Sequence, residues 1–400
     1  MPKISVIIPN FNQSHYVGNS IRSVLNQTWQ DFEIIVVDDG STDDSREVVS
    51  QFGEKARYIW QKNQGLAGAR NTGIQAAAGE LIGLLDADDE WAPGYLEEMT
   101  RLAGENPGAL VFYAMARCMD ADGGDLPQHV GGPPVEPNAL YCKLLRANFI
   151  IPSTVIFRKE PIVEAGSFDA SLRSCEDWDL WLRLLPEKKI VGTSKVLVRY
   201  RVHGSSLSTN VQGMHDAARK VVEKHFDQDD GDPSTWSEEK RRAYGGLYRY
   251  EAITFVQREN NWNEAARSLS RALIADPSLS TDLDFFYELG LGGRAVGYRG
   301  VSGMDEMEST TIQLKRMIQS AFEESKIKLL CDKTIGTSEY ALGLITYGSE
   351  RRKASRGHFA RALSHRPELI LDFRLLGSFL KSFLGASGVK SIKKLLGHTP

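Results

Sequence analysis

The sequence has few cysteines, and their spacing excludes two kinds of site. The four cysteines, Cys118, Cys142, Cys175 and Cys331, lie far apart, and none belongs to a C-x-x-C pair. We therefore expect neither a disulfide framework nor a zinc site, and a reducing cytoplasm is the simplest location.

The sequence also lacks an excess of charge of one sign and any long apolar run. Its 48 Lys and Arg against 52 Asp and Glu give a net charge of -4, whereas domains that bind nucleic acid are usually basic. No window approaches about 18 uninterrupted apolar residues, and the first residues lead into a strand pattern instead of a signal peptide. We expect no nucleic-acid partner, no membrane span and no export by the usual route.

Strand and helix patterns alternate along the first part of this 400-residue chain, which is long enough for more than one domain. The pattern predicts strands at about 4–8, 32–37, 56–60 and 81–85. Between and after them it predicts helices at about 17–25, 44–52, 66–78 and 93–103. Such alternation predicts an α/β fold, a mainly parallel sheet with helices on both faces.

The next part completes this domain. Residues 120–137 are rich in Gly, Pro and Asp, which predicts a loop or insertion. A strand at 154–157, a helix at 177–185 and a strand at 196–202 follow. We place the domain at 1–210, with a nucleotide-binding half at 1–105 and an acceptor half at 106–210.

Residues 211–400 are almost wholly helical by pattern, which predicts an all-α second domain. A weak repeat has an offset of 90 residues, since Arg271-Ala272-Leu273 and Pro277 are followed by Arg361-Ala362-Leu363 and Pro367. Helix pairs of this kind resemble tetratricopeptide hairpins, which bind protein partners. The basic, apolar tail 379–396 either touches an anionic membrane surface or packs as a terminal helix, and glycines that interrupt it favour packing.

Aspartates follow the predicted fourth strand. Asp86 and Asp88, at alternate positions of an extended segment, point to the same side. Two such carboxylates suit Mg²⁺ or Mn²⁺ with open positions for phosphate oxygens. The alternative is a solvated acidic turn, a role that we assign to Asp89 and Glu90.

A second acidic pair, Asp38 and Asp39, closes the second strand. One carboxylate can accept a hydrogen bond from the edge of uracil or guanine while the other orients the turn, with Asp39 facing the ligand. The alternative is a helix N-cap cluster. Pro9, Asn10 and Phe11 would form the neighbouring wall, although an aromatic residue such as Phe11 is also ordinary packing.

The segment Asn63–Asn71 lies between the third strand and its helix. Its glycines allow close backbone approach at a helix N-terminus, which favours phosphate, and Arg70 adds a fixed cation. Neither a G-x-G-x-x-G nor a G-K-[ST] motif is present, so a dinucleotide or P-loop site is not indicated.

Asp177 is our candidate general base. Trp178, Trp181 and Leu182 form the buried face of its helix, so these tryptophans are core residues more readily than a ligand platform. An apolar bed can hold a carboxylate still and tune its pKa. The alternative is that Glu176 and Asp177 are ordinary first-turn acids. His203, by itself, is a turn histidine.

Taken in order, five strings resemble the inverting family 2 glycosyltransferases of the GT-A fold group. The resemblance covers residues 3 to about 210 and does not explain the helical half. The strings are Ser5–Asn12 (SVIIPNFN), Val37–Asp43 (VDDGSTD), Gly65–Asn71 (GLAGARN), Leu85–Asp89 (LDADD) and Glu176–Trp181 (EDWDLW).

The resemblance implies a role for each motif. The nucleotide sugar would be held by Pro9, Asn10, Phe11, Asp38, Asp39, Arg70, Asp86 and Ala87. The D-x-D metal motif would be Asp86 and Asp88, with His203 as a further metal or diphosphate contact. Asp177 would be the general base.

We therefore expect a metal-dependent hexosyltransferase that uses Mg²⁺ or Mn²⁺ and a donor such as a UDP-sugar. It would glycosylate a hydroxyl of a saccharide or glycolipid, with inversion, in the synthesis of a polysaccharide or glycoconjugate. It would be cytoplasmic, with membrane contact at most peripheral on the cytoplasmic face. The alternatives are a nucleotidyltransferase, or a helical-repeat interaction protein with an inactive GT-A-like domain.

Overall fold

The computed structural model describes residues 3–184, 190–204, 210–293, 304–323 and 328–383. The chain divides into two compact units, Met1–Asp229 and Asp230–Pro400. The first helix after the sequence-based boundary at 210, Val211–Phe226, therefore belongs to the first unit.

The first unit is built of strands and helices in alternation, as the sequence predicts. Its described strands are β1 (Ile4–Asn10), β2 (Phe32–Asp38), β3 (Arg57–Trp60), β4 (Leu81–Leu84), β5 (Glu90–Trp91), β6 (Val111–Met119), β7 (Asp125–Val130), β8 (Val155–Arg158) and β9 (Ile190–Arg201). Its described helices are α1 (Val17–Leu25), α2 (Ser45–Ser50), α3 (Gly65–Ala76), α4 (Tyr95–Glu105), α5 (Pro137–Arg146), α6 (Lys159–Glu164), α7 (Glu176–Leu184) and α8 (Val211–Phe226).

These strands form one sheet in the order β3-β2-β1-β4-β8-β6-β9-β5, and β7 pairs with β6. The four strands β3, β2, β1 and β4 are parallel. Beyond β4 the sheet is mixed, because β8 is antiparallel to both β4 and β6 while β9 runs parallel to β6. The predicted α/β sheet is confirmed, with the parallel pairing concentrated in its first half.

The buried parallel strands explain the apolar runs of the sequence. All seven residues of β1 are buried, as expected for a central strand covered on both faces. Gly73 lets α3 lie directly on this strand, since a Cβ there would come within 2.4 Å of Ile7 Cγ2. The carboxyl ends of β1, β2 and β4 then meet along one edge of the sheet.

The region after α4 differs from the sequence interpretation. Residues 120–137 do not form only a loop, because β7 lies within them and pairs with β6. β7 is a short strand, antiparallel to β6, whose residues alternate between exposed and half-buried. Neighbouring Gly and Pro residues hid this pattern in the sequence. The strand β6 and the helix α5 were not foreseen from the sequence at all.

The second unit is helical in its described residues. Its helices are α9 (Glu238–Gln257), α10 (Trp262–Ala275), α11 (Leu283–Gly290), α12 (Met304–Glu323), α13 (Cys331–Gly348), α14 (Arg352–His365) and α15 (Phe373–Phe383). A core cluster in this unit contains Tyr340, Phe359, Ala362, Leu369 and Leu375.

The offset of 90 residues recurs in the element boundaries. Helix α10 spans Trp262–Ala275 and α14 spans Arg352–His365. The short 3₁₀ turns Pro277–Thr281 and Pro367–Leu371 follow them at the same offset. The described helical region thus repeats one arrangement, a helix pair, a 3₁₀ turn and a third helix.

No described helix is long and apolar enough to cross a membrane. The tail 379–396 that the sequence singles out for membrane contact lies outside the described residues from residue 384 onward.

Candidate active site

A cavity of about 790 Å³ opens at the carboxyl ends of the parallel strands in the first unit. Nine of the residues predicted for the site line it: Pro9, Asn10, Phe11, Asp39, Arg70, Asp86, Ala87, Asp88 and Asp177. Five motifs that are distant in the sequence therefore meet at one place. Asp38 and His203 are described but do not line the cavity.

The turn after β2 uses its two aspartates differently. Asp38 accepts from the Ser41 amide at 2.7 Å and from the Tyr58 hydroxyl at 2.8 Å, so it orients the turn. Asp39 accepts from the amides of Gln64 at 2.9 Å and Gly65 at 2.8 Å, at the start of α3. Asp39 thus lies at the N-terminus of α3 while it also lines the cavity.

The acidic turn after β4 is held from three sides. The Ser20 hydroxyl of α1 lies 2.7 Å from the carbonyl oxygens of both Ala87 and Asp89, and its one proton is shared between them. Ser153 Oγ accepts from the Asp86 amide at 3.1 Å. The buried Arg201 donates through Nε to the Asp88 carbonyl at 2.8 Å. Because the backbone is fixed in this way, the carboxylates of Asp86 and Asp88 are held at the cavity wall.

Asp88 and His203 are adjacent, with 2.9 Å between Asp88 Oδ2 and His203 Nε2. Burial, followed by the nearby Asp86 carboxylate, raises the pKa of Asp88. The neighbouring Asp89 has its pKa raised for the same reasons, burial first and then Asp88 and Asp86. A positive charge at this point would relieve the repulsion between the carboxylates.

The donor set fits a hard divalent cation that takes part of its coordination from a substrate. Carboxylate oxygens suit Mg²⁺ and Mn²⁺, and Mg²⁺ is commonly held by one or two carboxylates plus phosphate oxygens. Within the described ranges no group of three or more His, Cys, Asp or Glu side chains is placed to hold a metal ion by itself. The predicted metal role of Asp86, Asp88 and His203 therefore needs phosphate oxygens of a ligand to complete the coordination, and it stays a prediction.

Arg70 is a buried link between two acidic motifs. Its side chain is 1% exposed, and Nη2 lies 2.7 Å from Asp86 Oδ1. Its Nη1 pairs with Glu176 at the start of α7. The sequence predicts a cation offered to the ligand, whereas in this structure the guanidinium is already paired with two carboxylates. A contact with a nucleotide stays a prediction.

Asp177 lies in the first turn of α7 and is 8% exposed. Burial, followed by the adjacent Glu176, raises its pKa to about 7, although Arg70, the Trp178 amide and Asn148 oppose this rise. A carboxylate with such a pKa is well matched to accept a proton near neutral pH.

Several residues of the site were missed by the sequence reasoning. They are Ser20, Asn148, Ser153, Arg173 and Arg201, together with Asn210 and Met214 at the start of α8. Each is a single polar or apolar residue outside any motif, so no local signal marked it. Only the packing of α1, α8, β9 and the segments that carry residues 148–153 and 173 brings them to the site.

The motifs and their arrangement agree with two comparisons. The family model described as "Glycosyl transferase family 2" matches residues 5–165. The putative teichuronic acid biosynthesis glycosyltransferase TuaG of Bacillus subtilis is 30% identical over 215 residues, which make up 52% of this chain and 82% of TuaG. The chain belongs to glycosyl transferase family 2. The segment of this chain that the family model matches, residues 5–165, includes Asp39, Arg70 and the acidic turn after β4, and it ends before Asp177.

Other relatives match over shorter parts of their length. An uncharacterized glycosyltransferase of Nostoc sp. is 50% identical over 104 residues, which are 25% of this chain and 32% of the relative. An uncharacterized glycosyltransferase of Rickettsia typhi is 31% identical over 217 residues, which are 50% of this chain and 64% of the relative. The chain thus spans less than two thirds of these relatives.

Among solved structures, residues 1–349 of S. aureus TarS in complex with UDP-GlcNAc have a TM-score of 0.48 and 18% identity, over 92% of each chain. The mannosyltransferase PcManGT from Pyrobaculum calidifontis, in complex with GDP-Man and Mn²⁺, also has a TM-score of 0.48, with 14% identity over 87% of each chain. Likeness at this level bears on neither substrate nor mechanism.

Proposed function

We propose that this family 2 glycosyltransferase transfers a sugar from a nucleotide diphosphate, a UDP-sugar, to an acceptor hydroxyl with inversion. One observation carries the proposal: Asp39, Asp86, Asp88 and Asp177 line the same cavity. The cavity volume lies within the range of about 300–1,000 Å³ that is usual for small-molecule sites.

The donor would lie between the β1 and β2 ends and the acidic turn. Asp39 would accept from the base edge, with Pro9 and Phe11 beside the base, because all three line the cavity. Phe11 is 48% exposed, so its ring is open to a flat ligand. Asn10 and Ala87 would line the ribose and diphosphate path.

The diphosphate would face Asp86 and Asp88. The cation, Mg²⁺ or Mn²⁺, would be held by these residues with His203, and when bound it neutralises charge on the departing diphosphate. Arg70 would hold Asp86 and Glu176 in place, which keeps the metal motif and the general base at a fixed separation.

Asp177 would accept the proton of the acceptor hydroxyl. The acceptor oxygen forms the new bond to the anomeric carbon as the bond from that carbon to the phosphate oxygen breaks. The electron pair of the broken bond leaves on the diphosphate. The products are the inverted glycoside, the nucleoside diphosphate and a proton held on Asp177, which solvent then removes.

The acceptor would be a saccharide or glycolipid, as expected for polysaccharide or glycoconjugate synthesis. The printed name of TuaG, which assigns that relative to teichuronic acid biosynthesis, favours such an acceptor. We place the reaction in the cytoplasm, where nucleotide sugars are available, with any membrane contact peripheral. The helical repeats would bind a protein partner.

The test starts with a donor panel in thermal shift with Mn²⁺, because a ligand that binds only the folded state raises its apparent stability. The panel includes UDP-glucose, UDP-N-acetylglucosamine, UDP-glucuronic acid and GDP-mannose. The donor that stabilises the protein is then assayed for release of free nucleoside diphosphate.

Asp177→Asn should lower turnover about 10²- to 10⁴-fold while leaving the Kd for UDP within about twofold, because general-base catalysis is worth about that factor. The exposed Asp31→Asn is the matched control, with turnover like that of the wild type. Full turnover in Asp177→Asn would remove Asp177 from its role. Release of pyrophosphate would favour a nucleotidyltransferase, and absence of UDP binding would favour an interaction protein.

A further inference from the structure

We propose that Asn148 is a positioning residue for the general base: its amide fixes the Asp177 carboxylate and stabilises the ionised form that accepts the proton. The proposal rests on the function proposed above for Asp177. Asn148 lies outside every sequence motif, 29 residues before the base.

The contact is direct and its orientation is fixed. Asn148 Nδ2 donates to Asp177 Oδ2 at 2.7 Å. Asn148 Oδ1 accepts from the Ile150 amide at 3.1 Å, so the oxygen side of the amide is already committed to a donor. The NH₂ group must then face Asp177, since an amide flip would place two oxygens against each other.

The segment that carries Asn148 is attached to the helix of the base by two indole groups. Trp178 Nε1 donates to the Leu144 carbonyl at 2.7 Å. Trp181 Nε1 donates to the Ile150 carbonyl at 3.2 Å. These bonds hold both ends of the segment 144–150 against α7. Asn148 therefore keeps its distance from Asp177 without being part of α7.

The hydrogen bonds leave the base able to work. Asp177 Oδ1 accepts from the Trp178 amide at 2.8 Å, and Oδ2 accepts from Asn148. Each carboxylate oxygen has two lone pairs, so Oδ2 keeps one for an acceptor hydroxyl. With both oxygens bonded, rotation of the carboxylate is restricted and this lone pair keeps one direction.

The charged and titratable groups near Asp177 determine how much the hydrogen bond from the Asn148 amide affects its ionisation. Glu176 and the Cys175 thiol lie beside it in the chain, and Arg70 of α3 is a cation that faces it. Arg173, just before α7, lines the same cavity. On α5, the ammonium of Lys143 lies over the Phe149 ring, and Arg146 has its own contacts. On α8, Lys224 and His225 pair with Asp179 instead.

The hydrogen bond from Asn148 opposes the effect of burial on the pKa of Asp177. Burial and Glu176 favour the protonated form of Asp177, whereas a donated hydrogen bond favours the ionised form. Without the amide, the pKa of Asp177 rises above its present value of about 7. The base would then be protonated, and inactive, over more of the neutral range.

The experiment measures this ionisation directly in the full chain. Aspartate labelled with ¹³C at the carboxyl carbon is titrated by NMR, and the Asp177 resonance is identified by its loss in Asp177→Asn. In Asn148→Ala its midpoint should rise by about one pH unit, a tenfold change that corresponds to about 1.4 kcal/mol. Asn148→Asp, which has the same shape but presents a carboxylate, should raise it further. Asn106→Ala, whose amide bonds the Leu102 carbonyl at the end of α4, is the control and should leave it unchanged.

Turnover of the donor found in the panel gives the second readout. For a one-unit rise from about 7, Asn148→Ala should lose about tenfold in kcat at pH 6 and almost nothing at pH 9, with KM for the donor unchanged. A variant that is only misfolded loses activity at both pH values. An unchanged Asp177 midpoint, or an equal loss at both pH values, overturns the role of Asn148. A shifted midpoint with no donor turned over supports Asn148 and contradicts the proposed function instead.

Discussion

The aspartates of this site differ in what surrounds them, and their surroundings separate their roles. Asp38 is used by a turn, Asp88 lies against His203, and Asp177 is buried beside Glu176. The same residue type is thus a backbone anchor, a candidate metal ligand and a candidate base. Burial and immediate neighbours, rather than residue type, distinguish the surroundings of these three carboxylates.

The raised pKa of Asp177 predicts a dependence of stability on pH. In the folded state the pKa of Asp177 is about 7, compared with an ordinary value of 3.8, so the carboxyl keeps its proton up to about pH 7. The unfolded chain releases it near pH 4, so between about pH 4 and 7 the folded state binds more protons and stability falls as pH rises.

Asp177→Asn removes this cost. At pH 8 the variant should be more stable than the wild type by roughly 2–4 kcal/mol, because a buried ionised carboxylate is replaced by a neutral amide. The difference should close towards pH 4, where Asp177 is protonated. Urea unfolding at several pH values checks this. A difference that is constant with pH would contradict the raised pKa.

At the scale of elements, the site depends on how closely α3 lies on β1. Residue 73 faces Ile7 so closely that only glycine fits there. Helix α3 carries Arg70, and its N-terminus receives Asp39. The position of this helix therefore determines where Arg70 lies between the two acidic motifs. It also determines where the Asp39 turn lies, beside the predicted site of the nucleotide base.

Gly73→Ala should destabilise the first unit by about 1–3 kcal/mol, because the added methyl overpacks a buried contact and moves α3 or Ile7. Nucleotide binding should weaken with it. Urea unfolding and UDP calorimetry measure the two effects.

Gly104→Ala is the matched control. Gly104 lies in α4 with no atom within 4 Å of its added Cβ, so alanine should stabilise the helix by up to about 1 kcal/mol. If Gly73→Ala and Gly104→Ala changed the free energy of unfolding equally, the contact of residue 73 with Ile7 would not limit how closely α3 packs on β1.

At the scale of the whole molecule, each unit has its own core. The first unit buries strand and helix residues around β1, including Ile4, Val6 and Ile8, and the second unit has the cluster around Tyr340 and Phe359. The second unit also contains a buried charge network, in which Glu339 meets Lys315, His358 and Arg361. Burial alone would raise the pKa of Glu339, but hydrogen bonds from these partners lower it to about 2.

Glu339→Gln should destabilise the second unit by about 2 kcal/mol near neutral pH, because it leaves Lys315 and Arg361, both half exposed, without their buried carboxylate partner. UDP binding by the first unit should not change, because the residues of its cavity all lie in that unit. Unfolding followed by circular dichroism, with calorimetry for UDP, measures both. The exposed Glu350→Gln is the control, and a loss of UDP binding in Glu339→Gln alone would contradict the independence of the units.

The sheet strands near the site could be read from the sequence because their apolar runs are short, continuous and bounded by turn residues. The strings around Asp39, Asp88 and Asp177 could be read because they are local and dense in acids. Strand β7 and helix α5 could not, since both lie in or beside a segment rich in Gly and Pro, and such a segment predicts a loop. The domain limit at 210 remains a prediction, although the compact units divide after Asp229.

The sequence by itself determined the family, the parallel half of the sheet, the helical second half and the acidic motifs. Each of these is encoded within a few neighbouring residues, or in a repeat along the chain. Only the tertiary structure decided that Arg70 pairs with Asp86 and Glu176, that Asp88 meets His203, and that Asn148 donates to Asp177. These contacts join residues 16 to 115 positions apart. Their existence depends on the packing of whole elements, which no local pattern encodes.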